Sequence, residues 1–164
     1  MSDDGLDEAL SEAVAEVLAI RYGVDLPEVG ADPRTVLESL RVTRRALDRV
    51  EELLSRTVRI RARAQRMATH AGNVFDDAWD TAAQQRRANP VSHGTEFSSA
   101  RERTAEANLA TLDQRVGART TAEIAHRCEE AVEVIRLAHR GLESVRQDHL
   151  AVLRSLQFES SLDR

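Results

Sequence analysis

Lysine is missing from these 164 residues, so all 23 basic side chains are arginine. Arginine is the planar, bidentate donor that suits phosphate and carboxylate groups. A GC-rich genome also writes arginine, alanine, valine and aspartate freely, and that account asks nothing of structure. Cysteine occurs once, at Cys128, which excludes a disulfide framework and a cysteine-built zinc cluster. Aromatic residues make up 3% of the chain, too few to fill a thick, sheet-backed core. Three prolines and seven glycines leave long stretches free of helix breakers. No apolar run approaches the ~18 residues of a membrane span, and the chain opens on acids instead of a basic, apolar leader. These absences predict a protein of the cytoplasm, or one packaged from it, with no membrane contact.

What is present is a helical beat. Leu40, Leu47, Leu54, Ala68, Phe75 and Ala82 fall seven apart, with Arg61 the only charge in the row. Val36, Thr43, Val50, Thr57, Ala64, Ala71 and Ala78 make a second row, and Ala46, Leu53, Ile60, Met67 and Val74 a third. Three adjacent rows form a wide apolar face that an isolated helix cannot leave in water. The spacing predicts one long helix after Asp32-Pro33, with Asp as N-cap and Pro in the first turn. His70-Ala71-Gly72-Asn73 is a candidate kink within it.

Residues 3 to 21 read as a short amphipathic helix with Leu6, Leu10, Val14, Val17 and Leu18 on one face. Nine acids stand against one arginine up to Asp32, a net of −8, while 19 acids and 22 arginines leave the remainder at +3. Ala88 to Thr95 is the clearest loop. Beyond it, Ser99 with Glu102 offers a capping box, and Ala105, Leu109, Leu112 and Val116 suggest the buried face of the next helix. A second capping pattern, Thr120 to Glu123, places a break or distortion near Gly117. From there Ile124, Cys128, Ala131, Ile135, Ala138, Leu142, Val145, Val152 and Leu156 share one stripe.

Two long helices and a short connection predict an all-α, elongated, antiparallel helical hairpin of coiled-coil type with an acidic N-terminal helix. The expected division is 1–31 for that helix and its linker, and 32–164 for the hairpin, with the turn near 88–96. A turn centred near residue 92 sets His126 opposite roughly position 58. The wide face calls for further cover, either from the acidic helix or from a second copy. The width favours a homo-oligomer.

Arg45, Arg49, Arg56, Arg59, Arg63 and Arg66 fall opposite the apolar rows. Nine arginines and three acids between Arg41 and Arg66 make a local +6. Such a strip can track a nucleic-acid backbone by releasing counterions, or meet an acidic protein surface such as this chain's own N-terminal helix. It is equally the pattern of a plain solvated face, and no aromatic side chains interleave with it. Trp79 and Phe75 are candidate partner contacts, or packing near the turn.

Glu123 and His126 have the spacing of one half of a di-iron ligand set, but the second half is lacking and arginines are expected opposite. Asp76, Asp77 and Asp80 are expected to pair with Arg101 and Arg103. No nucleophile elbow, glycine-rich phosphate loop or carboxylate cage is present. The expectation is therefore no enzyme, no cofactor, no metal and no small-molecule substrate.

Phe75-Asp-Asp-Ala-Trp-Asp-Thr-Ala, Arg101-Glu-Arg-Thr-Ala-Glu-Ala, His139-Arg-Gly-Leu-Glu-Ser-Val-Arg and Leu153-Arg-Ser-Leu-Gln-Phe-Glu resemble segments of helical proteins from tailed phages and prophages of actinobacteria. That resemblance implies a mobile-element origin, in a virion part or beside replication and recombination. Trp79-Asp-Thr also looks like the Trp-x-Gly of small hairpin substrates of type VII secretion. Thr81 replaces the glycine, and the tyrosine-containing export signal does not follow the second helix. The expected role is an assembly or adaptor protein that self-associates. The alternatives are a nucleic-acid accessory factor using the arginine strip, and an anti-defence protein using the acidic helix.

Overall fold

Asp32 starts the longest element. Its Oδ1 accepts hydrogen bonds from the backbone N–H of Arg34 at 2.7 Å and of Thr35 at 3.1 Å, and the Thr35 hydroxyl donates to Oδ2 at 2.7 Å. Val36 N–H donates to the Asp32 carbonyl at 3.1 Å, so the helix begins at Pro33 as its cap demands. A computed structural model describes residues 3–26, 31–88, 92–93, 96–97 and 100–162. In chain order these form α1 (Asp3–Tyr22), α2 (Pro33–Ala88), β1 (Ser92–His93), β2 (Glu96–Phe97), α3 (Ala100–Ala110) and α4 (Leu112–Leu162). The fold is all-α, apart from the two-residue ladder in which Ser92 faces Phe97 and His93 faces Glu96. None of the described helices is long and apolar enough to cross a membrane.

The Thr35 hydroxyl first, then the two N–H groups, hold the Asp32 carboxyl below its ordinary value of 3.8. A depressed folded value means that the cap stabilises fully above the unfolded value, and that this part is lost as pH falls through the folded one. Asp32→Asn keeps a side-chain oxygen for the backbone but removes the titration. It is expected to flatten the decline in melting temperature below pH 3.8. Parallel acid limbs for the two proteins in stepwise thermal melts would refute a charge-linked cap.

The chain divides into two compact units, residues 1–61 with 128–164 and residues 62–127. The division cuts through α2 and α4 and does not fall at the expected 31/32 boundary, because α1 belongs to the first unit's core.

In that first unit, Ala13 and Val17 of α1 pack with Leu47, Val50 and Leu53 of α2 and with Ile135, Ala138 and Leu142 of α4. Glu51 lies 3.3 Å from His139 Nε2, and Arg61 Nη2 lies 3.6 Å from Glu129 Oε1, so α2 and α4 run antiparallel here. Arg21 of α1 lies over Gly141 of α4, where an added Cβ would come within 3.4 Å of its Nε. The cover expected from either α1 or a second copy is supplied in this unit by α1.

The deepest row of α2 is Val36, Thr43, Val50 and Thr57, not the leucine row, in which Leu47 is buried while Leu40 and Leu54 are half-buried. Threonine is tolerated at the seam because its hydroxyl is satisfied within the helix. Thr43 donates to the Ser39 carbonyl at 2.9 Å and Thr57 to the Leu53 carbonyl at 2.8 Å. On α4, Ile124, Cys128, Ala131, Ile135, Ala138 and Leu142 are buried as their spacing predicts. His149 occupies the same stripe and is fully buried. Its Nδ1 is 2.8 Å from the Val145 carbonyl, and its Nε2 has no partner among the described residues.

In the second unit, residues of α2 face α3 and the start of α4. Trp79 Nε1 donates to Asn108 Oδ1 at 3.2 Å. Ala64 of α2, Ala107 of α3 and Thr111 are buried in this unit.

Three sequence readings need correction here. The helix is interrupted at Thr111, not near Gly117, and even there Thr111 N–H to the Ala107 carbonyl and Arg115 N–H to the Thr111 carbonyl carry the helical path through. The Thr120 to Glu123 pattern is mid-helix: Thr121 donates to the Gly117 carbonyl at 3.1 Å, and Glu123 pairs with Arg119 at 3.0 Å. The third is the break near Gly72: α2 is continuous from Pro33 to Ala88. A Cβ at Gly72 or Gly117 would meet nothing within 4 Å, so both sit in helix on open sides. The Ser99 cap, Pro27, Gly30 and most of the 88–96 turn lie outside the described residues.

Candidate functional site

The arginine strip of α2 does not form a single uncommitted surface. Arg45, Arg49, Arg56 and Arg59 belong to the first unit, Arg63 and Arg66 to the second, and all six are exposed. Arg49 is engaged from two sides. Its Nε lies 2.6 Å from Glu16 Oε1 of α1, and its Nη1 lies 2.6 Å from Glu52 Oε2. Those two carboxylates, Glu16 first, raise the guanidinium further above its ordinary range. Arg59 folds back to the Ser55 carbonyl at 3.3 Å and the Ser55 hydroxyl at 3.4 Å. Part of the acidic N-terminal charge therefore meets the strip within the chain.

Trp79 and Phe75 are both half-buried on α2. The Trp79 hydrogen bond to Asn108 makes the indole a packing element with its polar edge satisfied. Beside it lies a cleft of about 120 Å³ lined by Trp79, Ala83, Arg87, Ala100, Arg103 and Thr104. Ligand pockets start near ~300 Å³, so this cleft is well below that size. Asp76, Asp77 and Asp80 are all exposed.

Cys128 is fully buried, and its burial, helped by the nearby charge of Asp7, pushes the thiol up from its ordinary value. A thiol so placed behaves as a small apolar side chain. Among the described residues, no group of three or more His, Cys, Asp or Glu side chains is arranged to hold a metal ion.

The feature that sequence reading placed on the wrong side is an apolar row. Ala105, Leu109, Leu112 and Val116, expected to face inward, are all exposed: Leu109 at 72%, Leu112 at 50% and Val116 at 56%. The inward side of α3 is the one that carries Asn108, which accepts from the Trp79 N–H, with Ala107 and Thr111 buried and Leu109, one residue on from Asn108, outward. A count of apolar residues favoured the leucines.

Comparison with protein-family models, with curated proteins and with solved structures finds no match to this chain. The resemblance to phage-encoded helical proteins accordingly stays an expectation from the segments named above.

Proposed function

We propose that this protein is a non-enzymatic helical assembly or adaptor protein of a phage or mobile element, acting through protein–protein contacts and self-association. The observation that carries the reading is the exposed row Ala105, Leu109, Leu112 and Val116. Soluble monomers scatter single apolar residues over their surfaces, whereas a contiguous apolar row marks a contact site. The first unit supports the same logic from the other side. There α1 covers the apolar face of α2 and α4 with its own Ala13 and Val17, while the second unit includes no part of α1.

Sedimentation velocity over a roughly hundredfold range of concentration tests the reading, because association makes the mass concentration-dependent. A rise in mass with concentration is expected. A monomer throughout the range overturns self-association. The arginine strip supports nucleic-acid binding less well, since Arg49 already holds Glu16 and Glu52.

A further inference from the structure

We propose that the row from Glu102 to Arg119 is a two-fold, antiparallel docking surface for a second copy of this chain. The inference rests on the self-association reading above and gives it a surface, a direction and a register.

The row has six members: Glu102, Ala105, Leu109, Leu112, Val116 and Arg119, all exposed. Their spacing alternates three and four residues, the step pattern of a coiled-coil seam. The hydrogen bonds of Thr111 to Ala107 and of Arg115 to Thr111 keep the helical path through the interruption, so the row stays on one side. Ala107 and Thr111 are buried on the other.

A two-fold axis between Leu109 and Leu112 maps this row onto itself in reverse. Leu109 then faces Leu112 of the second copy, and Ala105 faces Val116, each contact occurring twice. At the ends, Glu102 of each copy faces Arg119 of the other, so opposite charges close both rims. Symmetric dimers require such a self-complementary patch, in which residue i meets j and j meets i. A parallel arrangement would set Glu102 against Glu102 and Arg119 against Arg119, which repel. Charge therefore selects the antiparallel orientation. Glu106 and Asp113 flank the row with like sign; Glu106 is half-buried, with its Oε2 enclosed by its own chain.

Arg119 already lies 3.0 Å from Glu123 on its own helix, with both side chains well exposed. An exposed pair of that kind is worth little and leaves the guanidinium able to bridge to a second carboxylate.

Sedimentation equilibrium of the full chain and four variants tests the proposal, with far-UV circular dichroism confirming that each is folded. Leu109→Asp with Leu112→Asp is expected to weaken dimerisation by at least on the order of a hundredfold, since it places charges at the centre of the contact. Glu102→Arg alone and Arg119→Glu alone are each expected to weaken it on the order of tenfold, because two pairs are reversed per dimer. The double variant Glu102→Arg/Arg119→Glu is expected to return the affinity to within a few-fold of the parent. Dimerisation that survives the leucine substitutions, or that the double reversal does not restore, overturns this surface and register while leaving self-association standing. A parent chain that is monomeric at every concentration overturns both.

Discussion

Truncating Ile135 to alanine is expected to cost about 2–5 kcal/mol of stability in the first unit. Ile135 is fully buried at the meeting of α1, α2 and α4, among Val17, Val50 and Leu142. Removing its branched end leaves a cavity that three helices, each held by other contacts, close only in part. Exposed ion pairs such as Arg49–Glu16 lie in a class worth well under that, so packing and not charge decides the outcome. Urea unfolding followed by far-UV circular dichroism is the measurement. Because the chain has two compact units, the fluorescence of Trp79, which lies in the second, should be recorded beside it. An unchanged dichroism midpoint would mean that Ile135 is not where three helices meet.

Replacing Val17 with aspartate is expected to release α1 from the first unit. Val17 is completely buried, and a carboxylate there has no partner among the apolar side chains around it. The alternative to burying that charge is for α1 to leave. A free helix of 20 residues with acids spread along it is marginal in water, so it should largely unfold. The expected readings are loss of hydrogen-exchange protection along residues 3–22 and a fall of roughly one-seventh in helical dichroism. Retained protection there would show that α1 is not held through Val17. The variant also separates the two units experimentally, because the Glu102–Arg119 row lies wholly in residues 62–127.

Local chemistry was readable without a structure. Asp32-Pro33 announced a helix start, since a carboxylate that caps and a proline that needs no N–H are useful together only there. The run 3–21 was recognised as a helix to within a residue, because its apolar period and acidic first turns agree. The stripe from Ile124 to Leu142 is legible for the same reason, whereas His149, also buried on it, is not among the residues that the apolar spacing names. The candidate site was less accessible. Six arginines were placed on an exposed face correctly, but nothing local said that Glu16 would reach across to Arg49. The pairing register also differs. Glu129 meets Arg61, several residues from the alignment that a turn centred near residue 92 implies, because α2 continues to Ala88 and a β ladder intervenes before α3.

Helix content, the cap of α2, the heptad seam and the polarised charge follow from neighbours within a turn or two, so the amino-acid order alone carries them. Which face of α3 turns inward does not: the leucine-bearing row that the apolar spacing names is exposed, and Ala107 and Thr111 are buried instead. The side that turns inward carries Asn108, which accepts from the Trp79 N–H, and the small residues Ala107 and Thr111. The identity of the third helix over α2 and α4 was open as well, because an apolar stripe specifies that it must be covered, not by what. Packing in three dimensions answered with α1 in one unit, and left the leucines of the other facing outward.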